Sequence, residues 1–174
     1  KTDVEKERLW KLIRIVQESD SYSCAKRDLE QQRKRDVTRE MVPMDSIFSS
    51  VNLDLKNTEE EKAGRYHLHP LEPLTAFPEN FQKLHVNENN TLIGLFGNNI
   101  PFFSEFDCFD DVLNAWLNIL EKFMWAVPSD TRYEISDISL FDHLRSSAAI
   151  AACMYKRHIG SIEGGKNFNW KEEF

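Results

Sequence analysis

The 174-residue sequence offers no paired cysteines: Cys24, Cys108 and Cys153 lie far apart and form no C-x-x-C motif. That spacing argues against a zinc ribbon and against a disulfide framework, and it suits a reducing, cytoplasmic location. No apolar run approaches the length of a membrane span, and the start has no secretory pattern, so no membrane partner is expected. Nor is there a glycine-rich loop with phosphate-binding spacing, an internal repeat or a low-complexity tract. The first residue is Lys rather than Met, which reads as an excised or truncated piece.

What is present is the material of a folded chain. Hydrophobic residues make up 41%, including 12 Phe and 4 Trp, which is too apolar for a disordered segment. Length alone allows one domain or parts of two. The 22 basic and 29 acidic residues give a net charge of −7, which argues against a nucleic-acid groove along the whole chain. The exception is local. Residues 26–39 (KRDLEQQRKRDVTR) hold six basic and three acidic side chains. The run reads either as a solvated face or loop, or as a phosphate-contacting patch centred on Arg33, Lys34 and Arg35. With no aromatic inside it, base stacking is not expected there.

Periodicity divides the chain into a helical N-terminal part, a turn-rich middle and a helical C-terminal part. Thr2 and Glu5 form a capping box, and Leu9, Trp10, Leu12, Ile13 and Val16 make the apolar stripe of a helix reaching about Tyr22. Met44–Val51 suits a short helix, and Val51, Leu53 and Leu55 alternate as in a strand. Pro70, Pro73 and Pro78 impose an extended course between Tyr66 and Phe81. The run 91–97 (TLIGLFG) reads as a short strand or buried turn. A second helix is expected at 107–126, capped by Ser104 and Asp107, with Phe109, Val112, Leu113, Trp116, Leu120, Phe123 and Met124 as its core face.

A third helix starts at Ser139, where S-x-x-D satisfies the first-turn amides, and is expected to stop near Gly160. Its small residues, Ala148, Ala151 and Ala152 among them, are expected to face a closely approaching element. Asp142 and His143 form its polar tip, where the helix dipole favours the carboxylate. The search for chemistry is otherwise thin. His67 and His69 alternate in an extended segment, as a metal pair or as structural residues. Cys24 and Cys153 are expected as buried helical thiols.

The segment W-x-x-P-S-D-T at 125–131, followed by DISLFDH (137–143) and a small-residue helix, resembles the large subunit of type III CRISPR RNA-guided effector complexes, in its Csm-type branch. SDSYSCAKRD (19–28) resembles the end of that family's HD-nuclease domain, and PMDSIFSSVNL (43–53) and YHLHPLEPL (66–74) resemble its connecting region. The resemblance implies a mostly α chain with a few short strands, a partial α+β piece. It would comprise the end of an HD-type helical domain (1–40), an extended connector (41–103) and the helical entry to a first polymerase-like palm domain (104–174).

Family members cleave single-stranded DNA at an HD site that holds Mn or Ni. They also make cyclic oligoadenylates from ATP, with Mg, at a palm carrying GGDD. Neither an His-Asp doublet nor GGDD occurs in this sequence, so the resemblance implies a piece without either activity of its own, acting in interdomain coupling. Its partners would be the other subunits of the complex, and through them crRNA, target RNA and single-stranded DNA. Residue by residue, Asp20 matches the late acidic residue of the HD domain, and reads either as a ligand of a metal whose other ligands this chain does not contain or as an Asp on the helix surface. Asp142 and His143 match the palm-entry D-H, either as a hydrogen-bonded pair that pins the helix or as a contact to ATP or the palm. An assembly module binding neighbouring subunits, and an unrelated helical protein, are the competing readings.

Overall fold

The computed structural model describes residues 3–24, 39–50, 64–100, 106–131 and 136–163. Within them the protein is mostly helical with one small antiparallel sheet, as the sequence predicts. Contacts divide the chain into two compact units, residues 1–27 with 143–174 and residues 28–142. The capping box at Thr2, the basic run with Arg33, Lys34 and Arg35, the alternation at 51–55 and the cap at Ser104 lie outside the described residues.

The first unit pairs α1 (Asp3–Ser23) with α4 (Leu140–Glu163), the division falling within α4 between Asp142 and His143. Acidic Asp3 and Glu5 occupy the first turn of α1, and the ion pairs Glu7–Lys11 and Arg14–Glu18, each at 2.9 Å, follow i,i+4 spacing. Such pairs add only a few tenths of a kcal/mol each, so packing carries the helix. Ile15 and Met154 are buried together, with Leu12, Ile150, Ala151 and Tyr155 against them.

The covered line on α1 is therefore Leu12, Ile15 and Ser19, and of the expected stripe only Leu12, partly buried, lies on it. Trp10 is 70% exposed and Val16 60% exposed. The helix carries apolar residues on two sides, and the contact with α4 chooses between them. Buried Ser19 meets its own need for a partner by donating to the Val16 carbonyl at 2.8 Å. On α4 only Ala151 of the three named alanines joins the packing, because Ala148 and Ala152 project to the exposed side. Gly160 does not end α4, whose backbone continues to Glu163.

The second unit is built on a sheet ordered β1 (Met44–Asp45), β2 (Gly64–Tyr66) and β3 (Glu79–Asn80), both pairings antiparallel. Residues 44–50 thus begin as a strand and only Ile47–Ser50 turns helically, as 3₁₀. Strands this short make few ladder bonds, so side chains must hold them. Arg65 donates from Nε to Asp45 Oδ1 at 2.9 Å and from Nη1 to the Phe81 carbonyl at 2.6 Å. Asp45 Oδ2 accepts the Ser136 amide at 2.9 Å, and the Asp45 amide donates to the Ser136 carbonyl. Gly64 suits a close approach: a Cβ there would meet the Pro78 ring at 3.1 Å, tight enough that the ring would have to shift by a few tenths of an ångström.

Residues 91–97 are neither strand nor turn but the body of α2 (Glu88–Asn98). Its glycines obscured a helical pair, Leu92 and Phe96, which reach the same face at i,i+4. That face meets α3 (Phe109–Met124), where Phe96 and Phe123 rings contact edge-to-face at 5.7 Å. Leu68, Leu84, Leu92 and Phe123 form the core, flanked by Phe81, Ile119 and Val127. A smaller cluster joins Met44, Tyr66 and Ala126 with Trp125, whose indole donates to the His69 carbonyl at 2.8 Å.

The stripe on α3 is real, but only its C-terminal half is covered. Phe109 is 74% exposed, Leu113 and Leu117 are exposed, and Trp116 is half-buried rather than core. Phe123→Ala is expected to cost about 3–5 kcal/mol, the usual loss for a fully buried ring. Trp10→Ala should change stability by less than about 0.5 kcal/mol. Urea denaturation of the two variants checks this order, and equal losses would contradict the packing described.

Candidate functional site

The end of α1 brings three polar side chains into one turn. Asp20 and Ser23 are three residues apart, and Cys24 follows just past the helix with its amide still donating to the Asp20 carbonyl at 3.1 Å. Asp20 and Cys24 therefore share a face. The facing residues come from α4, where His143 and Ser147 are one turn apart and the Ser147 hydroxyl donates to the His143 carbonyl at 2.9 Å. Ser23 and Ser147 oxygens lie 2.6 Å apart. A larger residue at 147 would hold the helices apart, so small side chains are what let this contact form.

His143 sits between the groups of α1. Its Nε2 is 2.9 Å from Asp20 Oδ1, and its Nδ1 is 3.1 Å from Ser23 Oγ. The imidazole is 15% exposed and the carboxylate 59%, so the site has an inner and an outer side. Asp20, Cys24 and His143 each present a ligand atom within 4.8 Å of the others, the one such grouping of metal-binding side chains among the described residues.

The ring hydrogen can be placed in two ways, and the second sets the bare Nε2 against the Asp20 carboxylate, so it needs a cation between those two acceptors. With Nε2–H donated to Asp20, Nδ1 accepts the Ser23 hydroxyl. With Nε2 bare, Nδ1–H donates to Ser23 Oγ, whose own hydrogen goes to the Asp20 carbonyl at 2.8 Å or to Ser147. The second arrangement is the form in which a histidine binds a cation, its far nitrogen held by a hydrogen-bond partner.

Asp142 and His143 separate in role. Ser139 Oγ accepts the Asp142 amide at 3.0 Å and donates to its carboxylate at 2.8 Å, so Asp142 completes the helix start. His143 instead meets Asp20, 123 residues distant in the chain. Sequence reasoning named Asp20 and His143 but assigned them to different sites. It passed over Ser23 and Ser147 and expected Cys24 and Cys153 to be buried, whereas all three cysteines are exposed. The available signal was the spacing of Asp20, Ser23 and Cys24 within a single helical turn.

The histidines of the second unit do other work. β2 ends at Tyr66, so His67 and His69 lie beyond the strand. The His67 ring stacks on Phe81 at 3.9 Å and bonds Glu88 through Nδ1 at 3.1 Å. The Glu88 carboxylate also accepts the amides of Leu68 (3.0 Å) and His85 (2.7 Å). Burial pushes its pKa up, but the two amides and His67 outweigh that and leave the carboxyl below its usual value. This is a clasp that ties the segment after β2 to the start of α2.

The chain is similar to curated CRISPR-system proteins of subtype III-A. In particular, it is 28% identical over 124 residues to the CRISPR system single-strand-specific deoxyribonuclease Cas10/Csm1 (subtype III-A) of Methanocaldococcus jannaschii, covering 66% of this chain and 15% of that protein. It is 40% identical over 60 residues to the Mycobacterium tuberculosis protein of the same description, covering 34% of this chain and 7% of that one. The chain thus spans well under a fifth of the length of these curated relatives. No family model matches it, and no solved structure matches it. No helix among the described residues is long and apolar enough to cross a membrane.

The clasp predicts a pH dependence. A carboxyl depressed in the folded state contributes stability above its unfolded pKa and loses it as pH falls through the folded value. Melting temperature should therefore drop more steeply below about pH 4.5 in the parent sequence than in Glu88→Gln, which lacks the titrating group. Identical acid limbs for the two proteins would show that Glu88 is not the group held.

Proposed function

We propose that this chain is a segment of the large subunit of a type III CRISPR antiviral effector complex, and that its own part is to couple neighbouring domains. The observation that carries this is the similarity to Cas10/Csm1 proteins of two distant organisms. Its partners, on this reading, are the other subunits of the complex and, through them, crRNA, target RNA and single-stranded DNA, in a cytoplasmic setting. The seam between α1 and α4 supports the coupling role. It ties the turn that resembles the end of an HD domain to the helix that resembles the palm entry.

Asp20 and His143 fit a divalent cation such as Mn or Ni. A carboxylate oxygen and an imidazole nitrogen already meet, and Ser23 can take the second ring nitrogen. When bound, such an ion polarises a phosphodiester and its attacking water. Asp20 would contribute negative charge from the exposed side, and His143 a neutral donor from the inner side. ATP and its Mg belong, on this reading, to a palm whose GGDD motif this sequence does not contain.

The isolated chain is expected neither to cleave single-stranded DNA with Mn²⁺ nor to oligomerise ATP. In the large subunit that carries this segment, Asp20→Ala and His143→Ala should lower DNA cleavage about tenfold or more. Cyclic-oligoadenylate synthesis should change much less. Cleavage or ATP oligomerisation by the isolated chain would overturn the coupling role, and undiminished cleavage by both variants would remove the metal reading.

A further inference from the structure

We infer that Cys24 is a third metal donor beside Asp20 and His143, and that its thiolate makes the site select a soft or borderline divalent cation such as Zn²⁺ or Co²⁺ over Mg²⁺. The inference rests on reading Asp20 and His143 as cation donors and adds the ligand that fixes which cation they take.

Three observations support it. The donor atoms lie within 4.8 Å of one another, and donors around a tetrahedral zinc are about 3–4 Å apart, so small side-chain rotations close the set. Asp20 and Cys24 are held in register by the backbone bond from the Cys24 amide to the Asp20 carbonyl, so they present together. His143 has its Nδ1 already beside the Ser23 hydroxyl, which leaves Nε2 aimed at the cation position.

Chemistry then decides the metal. Magnesium demands six hard oxygen donors and rarely accepts sulfur, whereas a Cys, His and carboxylate set suits zinc and cobalt. Binding replaces the thiol proton, released to solvent, with a metal–sulfur bond, while neutral His143 carries its one ring hydrogen on Nδ1 toward Ser23 and gives the Nε2 lone pair to the metal, with no net proton lost from the ring. Three protein donors leave a fourth position for water, and the exposed carboxylate keeps that side of the site open.

The test uses the 174-residue chain, treated with chelator and titrated with Co²⁺, Zn²⁺ or Mg²⁺. Cobalt should produce a thiolate-to-metal absorption band in the near ultraviolet. Zinc should abolish that band at one equivalent, and magnesium should leave it unchanged. Cys24→Ser should lose the band and bind cobalt about tenfold or more weakly, and Ser23→Ala should bind about 10–100-fold more weakly with the band retained. Cys108→Ser and Cys153→Ser, at the other exposed thiols, should keep it.

A band that survives in Cys24→Ser overturns the thiolate assignment while leaving the Asp20–His143 reading in place. Absence of saturable cobalt and zinc binding overturns both. Magnesium competing as well as zinc overturns the selectivity.

Discussion

The close approach of α1 and α4 is the constraint on which the first unit depends. Two helices meet at Ser23 and Ser147 with 2.6 Å between hydroxyl oxygens, a distance available only to small side chains. That closeness places His143 within reach of Asp20 and seats Ile15 against Met154 about two turns further on. The apolar contact supplies most of the stabilisation, since each buried aliphatic side chain contributes about 1.5–3 kcal/mol. The polar contact adds less but fixes register: sliding α4 by one residue would remove the partners of His143 and Ser147 together.

The second unit solves a different problem. Its strands are two or three residues long, so backbone pairing alone leaves them weak. Charge-assisted side-chain bonds add to that pairing: Arg65 with Asp45 joins β2 to β1, and Glu88 with two amides and His67 ties the segment after β2 to α2. Under α2 and α3 the fully buried ring of Phe123 packs with Leu68, Leu84 and Leu92 to form the core that both helices cover.

Helix type and order were legible wherever apolar spacing was continuous, as in α1, α3 and α4. What escaped were phases and partners. The glycines of α2 hid the spacing of Leu92 and Phe96, and the two apolar sides of α1 gave no basis for choosing Ile15 over Trp10. The alanines of α4 looked alike in sequence, although only Ala151 meets another side chain group in the core. The resemblance in residues 129–155 pointed to the same kind of protein that the comparisons find similar to this chain. The meeting of Asp20 with His143 could not be read, because 123 residues separate them and no local pattern records a contact at that range.

Asp20 and His143 interact across this seam, and that contact ties the two helices together. A double-mutant cycle of Asp20→Ala and His143→Ala, followed by urea denaturation in the presence of chelator, measures it most directly. The losses should be non-additive, with a coupling of about 0.5–1 kcal/mol, modest because Asp20 is largely exposed. Strictly additive losses, with no coupling between the two positions, would contradict it.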